Sequence, residues 1–357
     1  MTFYQELQLN QAGSKALIKQ STTPEEKRRH TMIYLFKIVL TVFFCVGFVT
    51  IFSLLFGQEN GTAGVIVLLF LLAFRQADLG IKASHGAGVM LLIYGILIIA
   101  PHFANMLPTI PSFAVHLISI LLLTILGCQQ VRMCNQATIV MSYLLLFGYD
   151  VTGKAYMLRV IGMSIGALWI AWLLYRTHKN KTYHDGFLDL FRQFNMETER
   201  SRWQLGMALT VASAVLVGEL LHLPRVMWIG FAALSTTQIA LEDRVKKAKF
   251  RFIGVLGGAF LVFLLVQILP ENMTSMLGVL GGLCIGFCAH YGWQTMFNCF
   301  GAVYMAVGIL GGIQNAVFYR VVDTAFGIIF ALLFYAGIEK LLAKMGEPKY
   351  CSKGAES

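Results

Sequence analysis

Charged residues are scarce in this sequence. They make up 13% of the 357 residues, whereas hydrophobic residues make up 57%. Because soluble proteins typically contain about 25% charged residues, this composition argues against a soluble globular domain. Apolar runs of about 18 residues or more recur along nearly the whole chain, and they are continuous rather than alternating. The sequence therefore predicts an all-α polytopic membrane protein and argues against a membrane β-barrel.

Several chemical signatures are also absent. The seven cysteines have neither metal-ligand nor disulfide spacing, so we expect no bound metal and no cofactor. No glycine-rich phosphate-binding loop occurs, which argues against direct use of ATP. The acidic residues predicted on the outer side are scattered and no nucleophile–base arrangement stands out, so we do not expect an enzyme. A polar stretch of about 30 residues precedes the first apolar run and argues against a signal peptide.

Positive charge is in excess, with a formal net charge of +10. The basic residues lie at the ends of apolar runs, as in the cluster at 244–251 that precedes a long apolar run. Because cytoplasmic loops of membrane proteins have this pattern, we expect membrane lipid, and no nucleic acid, beside these charges. With both termini cytoplasmic, all but four of the 28 Lys and Arg residues fall on the inner side. The exceptions are Lys154, Arg159, Arg225 and Arg320.

The apolar runs predict about twelve transmembrane helices. They lie at about 33–56, 63–74, 84–100, 112–128, 137–147, 157–175, 203–221, 226–240, 252–269, 273–289, 294–310 and 321–342. We therefore predict a multi-pass protein of the plasma (inner) membrane with its N- and C-termini in the cytoplasm.

The two halves of the chain resemble each other in sequence. Residues 37–42 align with 206–211, and residues 159–166 align with 320–327. Because an even number of spans precedes the second copy, we predict two parallel six-helix repeats related by a pseudo-two-fold axis along the membrane normal. The predicted organisation is a cytoplasmic N-terminal segment (1–31), a first six-helix repeat (32–176), a cytoplasmic amphipathic linker (177–202), a second six-helix repeat (203–342) and a cytoplasmic tail (343–357).

The linker contains apolar side chains at helical spacing. Phe187, Leu190, Phe191 and Phe194 follow the i, i+3, i+4, i+7 pattern. This pattern predicts an amphipathic helix that lies on the membrane surface or on the protein.

Glycines recur at four-residue spacing in the spans. Gly254 and Gly258 share one helical face, and Gly162 and Gly166 share another; Gly327 is the second-half counterpart of Gly166. Because faces without side chains let helices approach closely, we predict helix-packing contacts at these five positions.

Three motifs occur in order in the second half. They are Pro224-x-x-x-Trp228 at a span start, Arg251-x-x-Gly254-x-x-Gly257 after the basic cluster, and Arg320-x-x-Asp323-Thr324-x-x-Gly327 opening the last span. In these motifs the chain resembles the fusaric acid resistance and aromatic acid exporter superfamily, and more distantly the aluminium-activated malate channels of plants. The resemblance implies transport of organic anions, often aromatic carboxylates.

The chain departs from the family pattern in three respects. Val255 follows Gly254, where the family usually has threonine, and the first half lacks the Pro-Trp pair. The short linker stands where many relatives have a large cytoplasmic domain. The gating or coupling of the larger relatives is therefore not carried over to this chain.

Arg159 and Arg320 are the main candidates for binding an anion. Both are predicted on the outer side, and each opens a glycine-bearing span. A charge there costs free energy unless it is paired, hydrated or interfacial, and two arginines facing a central axis would attract anions. The alternatives are snorkelling to the headgroups, or an intrahelical pair of Arg320 with Asp323. Asp323 and Thr324 join the candidate substrate-binding residues; no acid is expected near Arg159.

Four other polar residues are candidates for substrate binding. Gln294 and Asn298 share one helical face, Gln136 is the first-half counterpart of this pair, and Lys37 lies in the first span. Interhelical hydrogen bonding is the alternative for the three amides, and snorkelling is the alternative for Lys37.

These features predict a membrane transporter that exports organic, aromatic anions along a path between the two six-helix halves. Two alternatives stay open: a passive anion channel, which the low number of intramembrane acids favours over a proton-coupled pump, and a membrane component that handles lipid-linked substrates for the envelope. The expected partners are an organic anion and membrane lipid, and formation of a homo-oligomer is left open.

Overall fold

The computed structural model describes residues 2–344, except for the side chains of residues 271 and 272. Within this range the regular elements are helices and no strand occurs. The helices are α1 (Phe3–Gln8), α2 (Gln11–Gln20), α3 (Pro24–Phe56), α4 (Gly61–Ala73), α5 (Ala83–Asn105), α6 (Thr109–Gly127), α7 (Gln136–Gly148), α8 (Gly153–His178), α9 (Phe187–Arg192), α10 (Glu199–Leu220), α11 (Val226–Thr236), α12 (Leu241–Ile268), α13 (Glu271–Thr274), α14 (Leu277–Gly286), α15 (Tyr291–Leu310) and α16 (Ile313–Ala343).

Twelve of these helices, α3 to α8, α10 to α12 and α14 to α16, each overlap one predicted span. Seven helices in the described residues are long and apolar enough to cross a membrane, and shorter apolar helices accompany them. The prediction of an all-α polytopic membrane protein is therefore confirmed.

Helices α3 and α12 begin ahead of the apolar runs that predicted them. Acidic residues occupy the first turn of both helices, Glu25 and Glu26 in α3 and Glu242 and Asp243 in α12. Negative charge in a first turn is favourable because of the helix dipole, and the Lys and Arg residues that follow are good helix formers. Hydropathy therefore locates the apolar part of each helix but not its start.

The described residues form two compact units. Of these residues, unit 1 contains 2–48 and Lys249–Val322, and unit 2 contains Val49–Ala248 and 323–344. Each unit takes residues from both predicted six-helix halves. The predicted division into two sequence repeats stays a prediction.

Unit 2 is built around α5, which packs against α6, α7 and α8. Helix α10 packs against α6, and α11 packs against α7. Trp203 and Trp228 are among the largest fully buried side chains of the core. Two polar groups at this depth are paired, since Trp203 Nε1 donates to Thr237 O and Gln204 Nε2 donates to Thr124 O.

Three glycines of unit 2 lie at close helix contacts. A Cβ atom added at Gly162 would lie 2.7 Å from Phe52 Cζ, and one added at Gly166 would lie 2.6 Å from Val67 Cγ2. A Cβ atom at Gly327 would lie 2.6 Å from the backbone oxygen of Ile229. A larger residue at any of the three would force the neighbouring helix away.

In unit 1, α14 packs against α15, and α12 approaches α15 at two glycines. A Cβ atom at Gly254 would lie 2.6 Å from Gly292 O. At Gly258 it would overlap Met296 O and lie 2.9 Å from Cys299 Cβ. Backbone therefore meets backbone along this contact, where no rotamer change can make room.

The linker helix α9 is shorter than the sequence predicts, because it ends at Arg192. It packs against α5 and α6, and Leu190 is buried whereas Phe191 is 41% exposed. Lys82 N donates to Asp185 O, which ties the linker to the loop before α5.

Replacing Gly258 by alanine should destabilise the protein, because the new Cβ atom would overlap the backbone of α15. Overpacking of this kind costs about 1–3 kcal/mol. Gly257→Ala is the matched control: its Cβ atom would lie 3.7 Å from Met296 Cε, its nearest neighbour, and alanine favours a helix by about 1 kcal/mol over glycine. Thermal unfolding in detergent measures both variants, and equal shifts of the melting temperature would contradict this packing.

Candidate functional site

Arg159 lies near the start of α8 and is only 2% exposed. Its Nε donates to Asn60 Oδ1 at 3.0 Å, and its Nη2 donates to Tyr149 O at 2.8 Å. The guanidinium therefore ties α8 to the turn before α4 and to the loop after α7.

The loop after α7 also brings a carboxylate to Arg159. Asp150 Oδ1 lies 3.8 Å from Arg159 Nη1. Asp150 is also bound by His102, whose Nδ1 lies 2.9 Å from Oδ2, and the His102 ring stacks on Tyr156 with centroids 3.8 Å apart. The expectation of no acid near Arg159 is therefore wrong. It considered only the helical neighbours of Arg159, whereas Asp150 reaches it from the preceding loop.

Asn60 is a structural residue that the sequence analysis missed. It is fully buried and its Nδ2 donates to Phe56 O and Ala155 O while its Oδ1 accepts from Arg159. The sequence around it contains polar residues and a glycine, which is typical of an exposed turn. The only available signal was an amide residue close to two apolar spans.

Arg225 is a second buried arginine of unit 2, with 6% exposure. Its guanidinium carbon lies 4.6 Å from the centre of the Tyr149 ring and 5.7 Å from that of Trp228. Nη2 lies 3.8 Å from Met227 Sδ, and Nε is buried without a hydrogen-bond partner among the described residues. The sequence analysis noted Arg225 as a basic residue on the predicted outer side but did not include it in the candidate site.

Arg159 and Arg225 flank Tyr149 from two directions. Arg159 holds the backbone oxygen of Tyr149, and Arg225 faces its ring. The two cations therefore belong to one site at the carboxyl-terminal end of α7, where Asp150 compensates Arg159. This site could attract an anion.

A buried polar chain crosses α6 and α7 in the same unit. Ser112 Oγ lies 3.2 Å from His116 Nε2, and His116 Nδ1 lies 2.8 Å from Tyr143 Oη. All three residues are buried, so these contacts satisfy polar groups that would otherwise be costly in the core.

Arg320, Asp323 and Thr324 lie on α16 and are buried, with exposures of 4%, 0% and 0%. Arg320 belongs to unit 1, and the other two residues belong to unit 2. Their helical spacing places Arg320 and Asp323 one turn apart.

Gln136 lies far from the arginine site within unit 2. It begins α7, whose 13 residues separate it from Tyr149 by about 20 Å. Gln136 is buried, and its neighbour Asn135 donates to Asp78 O and Gly127 O. The structure does not bring Gln136 together with Arg159.

The candidates of unit 1 make local contacts. Gln294 Nε2 donates to Cys288 O at 2.9 Å, and Asn298 is exposed on α15. Lys37 Nζ donates to Leu9 O at 2.9 Å and to Ser14 Oγ, which ties α3 to the two N-terminal helices.

Asp78 organises the loop between α4 and α5. Its Oδ2 accepts from Lys181 Nζ at 2.6 Å and from Tyr183 Oη at 2.9 Å, and its Oδ1 accepts from Gly80 N. Burial opposes ionisation of this carboxyl group, but the hydrogen bonds outweigh burial and lower the pKa of Asp78 below its ordinary value. The hydrogen bond that Lys181 donates to Asp78 raises the pKa of Lys181.

Among the described residues, no group of three or more His, Cys, Asp or Glu side chains is placed to hold a metal ion. The arginine site itself offers charge attraction and contact with an aromatic ring. This arrangement suits binding of an anion.

Arg159→Gln should lower the stability of the protein, because Tyr149 O would lose its buried charged donor and Asp150 its nearby cation. A buried group left without its partner costs about 1–3 kcal/mol. Lys154→Gln is the control: it removes the same charge from an exposed position of the same helix. Unfolding in detergent measures both, and equal stabilities of the two variants would contradict the bracing role of Arg159.

Acidification should reveal the ion pair of Asp78. Because the folded pKa of this group is depressed, its stabilisation is present above the unfolded pKa of about 3.9 and is lost as the pH falls through the folded value. Below about pH 4 wild type should lose more stability than Asp78→Asn, whereas Asp243→Asn, at an exposed position, should follow wild type. Melting curves across acidic pH measure this; parallel curves for wild type and Asp78→Asn would rule the interaction out.

Part of the chain matches the model of a known family. Residues 212–334 match the family model described as fusaric acid resistance protein-like. No curated protein and no solved structure matches the chain. The match contains the three motifs of the second half, so the predicted resemblance to this family is confirmed there, whereas the resemblance to malate channels stays a prediction. The chain thus carries a fusaric acid resistance protein-like region, residues 212–334, within an all-α polytopic membrane protein.

Proposed function

We propose that this protein is a transporter that exports organic, aromatic anions across the plasma (inner) membrane. The family match supports a membrane transport or efflux role. The proposed path runs between the two six-helix halves, and both termini lie in the cytoplasm.

The observation that carries the proposal is buried positive charge in an apolar helical protein. Arg159 and Arg320 are 2% and 4% exposed, although only 13% of the chain is charged. Ionisable groups inside a membrane are costly, and those that persist commonly mark the path of a substrate or ion. On the predicted outer side, these cations attract an anion that leaves the cell.

Equivalent packing of α8 and α16 supports the proposed repeat. Gly166 of α8 contacts Val67 of α4, and Gly327 of α16 contacts Ile229 of α11. These glycines align in sequence, and both contacts lie within unit 2. Two helices at equivalent positions of the repeats thus use equivalent glycines against the second span of their own repeat.

The structure changes the roles we propose for the two arginines. Arg159 donates to two oxygen atoms and has Asp150 beside it, so its main role is to hold the site together. Arg320 stays a candidate for direct attraction of the anion.

Transport is tested with purified protein in liposomes. We expect uptake of phthalate, an aromatic dicarboxylate, above the rate of protein-free liposomes, and no comparable gain for the neutral phthalamide. Arg320→Gln should reduce phthalate flux from a few-fold to about tenfold, since one arginine contributes roughly 2 kcal/mol at about 8 Å before screening. Lys154→Gln should leave the flux unchanged.

An imposed pH gradient separates the transporter from the passive channel. A proton-coupled exporter accumulates phthalate against its own gradient, whereas a channel only equilibrates it. Absence of any protein-dependent phthalate flux, with correctly inserted protein, would contradict the proposed function.

A further inference from the structure

We infer that Arg225 and the amino-terminal end of α11 form a binding site for the carboxylate group of an organic anion. This inference rests on the proposed function and assigns its anion contact to a residue outside the two symmetry-related arginines. It begins from a buried charge that the described residues leave uncompensated.

The other buried arginines with described contacts in unit 2 each donate to oxygen atoms and lie beside a carboxylate. Arg159 contacts Asn60, Tyr149 and Asp150. Arg244, which is 4% exposed, forms a two-pronged pair with Glu339 and also donates to backbone oxygens. Buried guanidinium groups are thus matched by acceptors, as the cost of desolvating a charge requires.

Arg225 is a buried guanidinium group without such acceptors in the described part of the chain. Among the described residues no carboxylate forms an ion pair with it and no oxygen accepts a hydrogen bond from it. Its described contacts are the rings of Tyr149 and Trp228 and the sulfur of Met227. Cation–π contacts offset part of the desolvation cost but leave every N–H group without a strong acceptor.

The helix that follows Arg225 adds a second source of positive potential. Arg225 occupies the N-cap position of α11, an 11-residue helix, and no side chain caps this terminus. The first amide groups of a helix lack partners within it and attract anions. The unpartnered guanidinium and the uncapped helix end are therefore adjacent in the chain.

The surroundings favour an organic carboxylate over a small inorganic ion. A planar guanidinium binds a carboxylate through two parallel hydrogen bonds. Tyr149, which is half-buried beside the guanidinium, offers ring surface for the apolar body of such an anion. Arg159 is a positioning residue here, because it holds the Tyr149 backbone whose ring faces Arg225.

Binding to purified protein in detergent tests the site without requiring transport. Calorimetric titration should show that wild type binds phthalate and not phthalamide. Arg225→Gln should weaken phthalate binding about ten- to hundredfold, the range for a lost hydrogen bond to a charged group. Arg225→Lys keeps the charge but lacks the planar fork, so it should weaken binding by a smaller factor.

Lys154→Gln is the matched control, since it removes one positive charge from an exposed position on the same predicted side. It should change phthalate affinity less than about twofold. If Arg225→Gln fails to fold, the phthalate affinity of Arg225→Lys tests the site instead. If a folded Arg225 variant binds phthalate with the same affinity as wild type, the proposed site is wrong.

Two further comparisons distinguish the Arg225 site from the proposed transport function and from a site for lipid. If wild type moves phthalate in liposomes while folded Arg225 variants bind and move it equally well, the site is wrong and the proposed function stands. If wild type neither binds nor moves phthalate, both fail. In nanodiscs, competition by phosphatidylglycerol that depends on Arg225 and is absent with the zwitterionic phosphatidylcholine would assign the site to the headgroup of an anionic lipid and overturn the carboxylate assignment.

Discussion

The cost of burying a guanidinium group in an apolar helix bundle explains the arrangement of unit 2. A chain with only 18 acidic residues and 28 Lys and Arg residues cannot pair every cation with a carboxylate. Arg159 and Arg244 meet this constraint with backbone oxygens, Asn60 and two acids. Arg225 meets it only in part, through aromatic rings. This remaining imbalance is the observation that supports the proposed binding of an anion.

The interactions that compensate the charge of Arg159 also hold the proposed anion site in a fixed position. Arg159 connects the turn at Asn60, the loop at Tyr149 and the start of α8. Gly162 and Gly166, on the same helix, allow α8 to pack closely against α3 and α4. The ring that faces Arg225 is therefore anchored through its backbone to a tightly packed helix, and a rigid support of this kind favours a defined binding geometry.

Sequence patterning predicted the helices well because long apolar runs have few alternative structures in a membrane. The glycine pairs were equally predictable from the sequence, because a spacing of four residues places both glycines on one face of a helix. The contacts of the arginines could not be predicted from the sequence, because Asp150 and Asn60 reach Arg159 from loops. Arg225 was overlooked for a related reason: its lack of a partner depends on how α7 and α11 pack. Periodicity describes one helix at a time, whereas the charge balance of a buried site depends on several elements.

The central claim is that the anion binds where a buried cation lacks an acid. A structure of the protein with 4-bromobenzoate, located by the anomalous signal of bromine, tests it most directly. We expect the bromine signal beside Tyr149, with the carboxylate on Arg225 and Asp150 still beside Arg159. Bromobenzoate bound elsewhere in the protein, with the guanidinium of Arg225 untouched, would show that Arg225 is not the anion site.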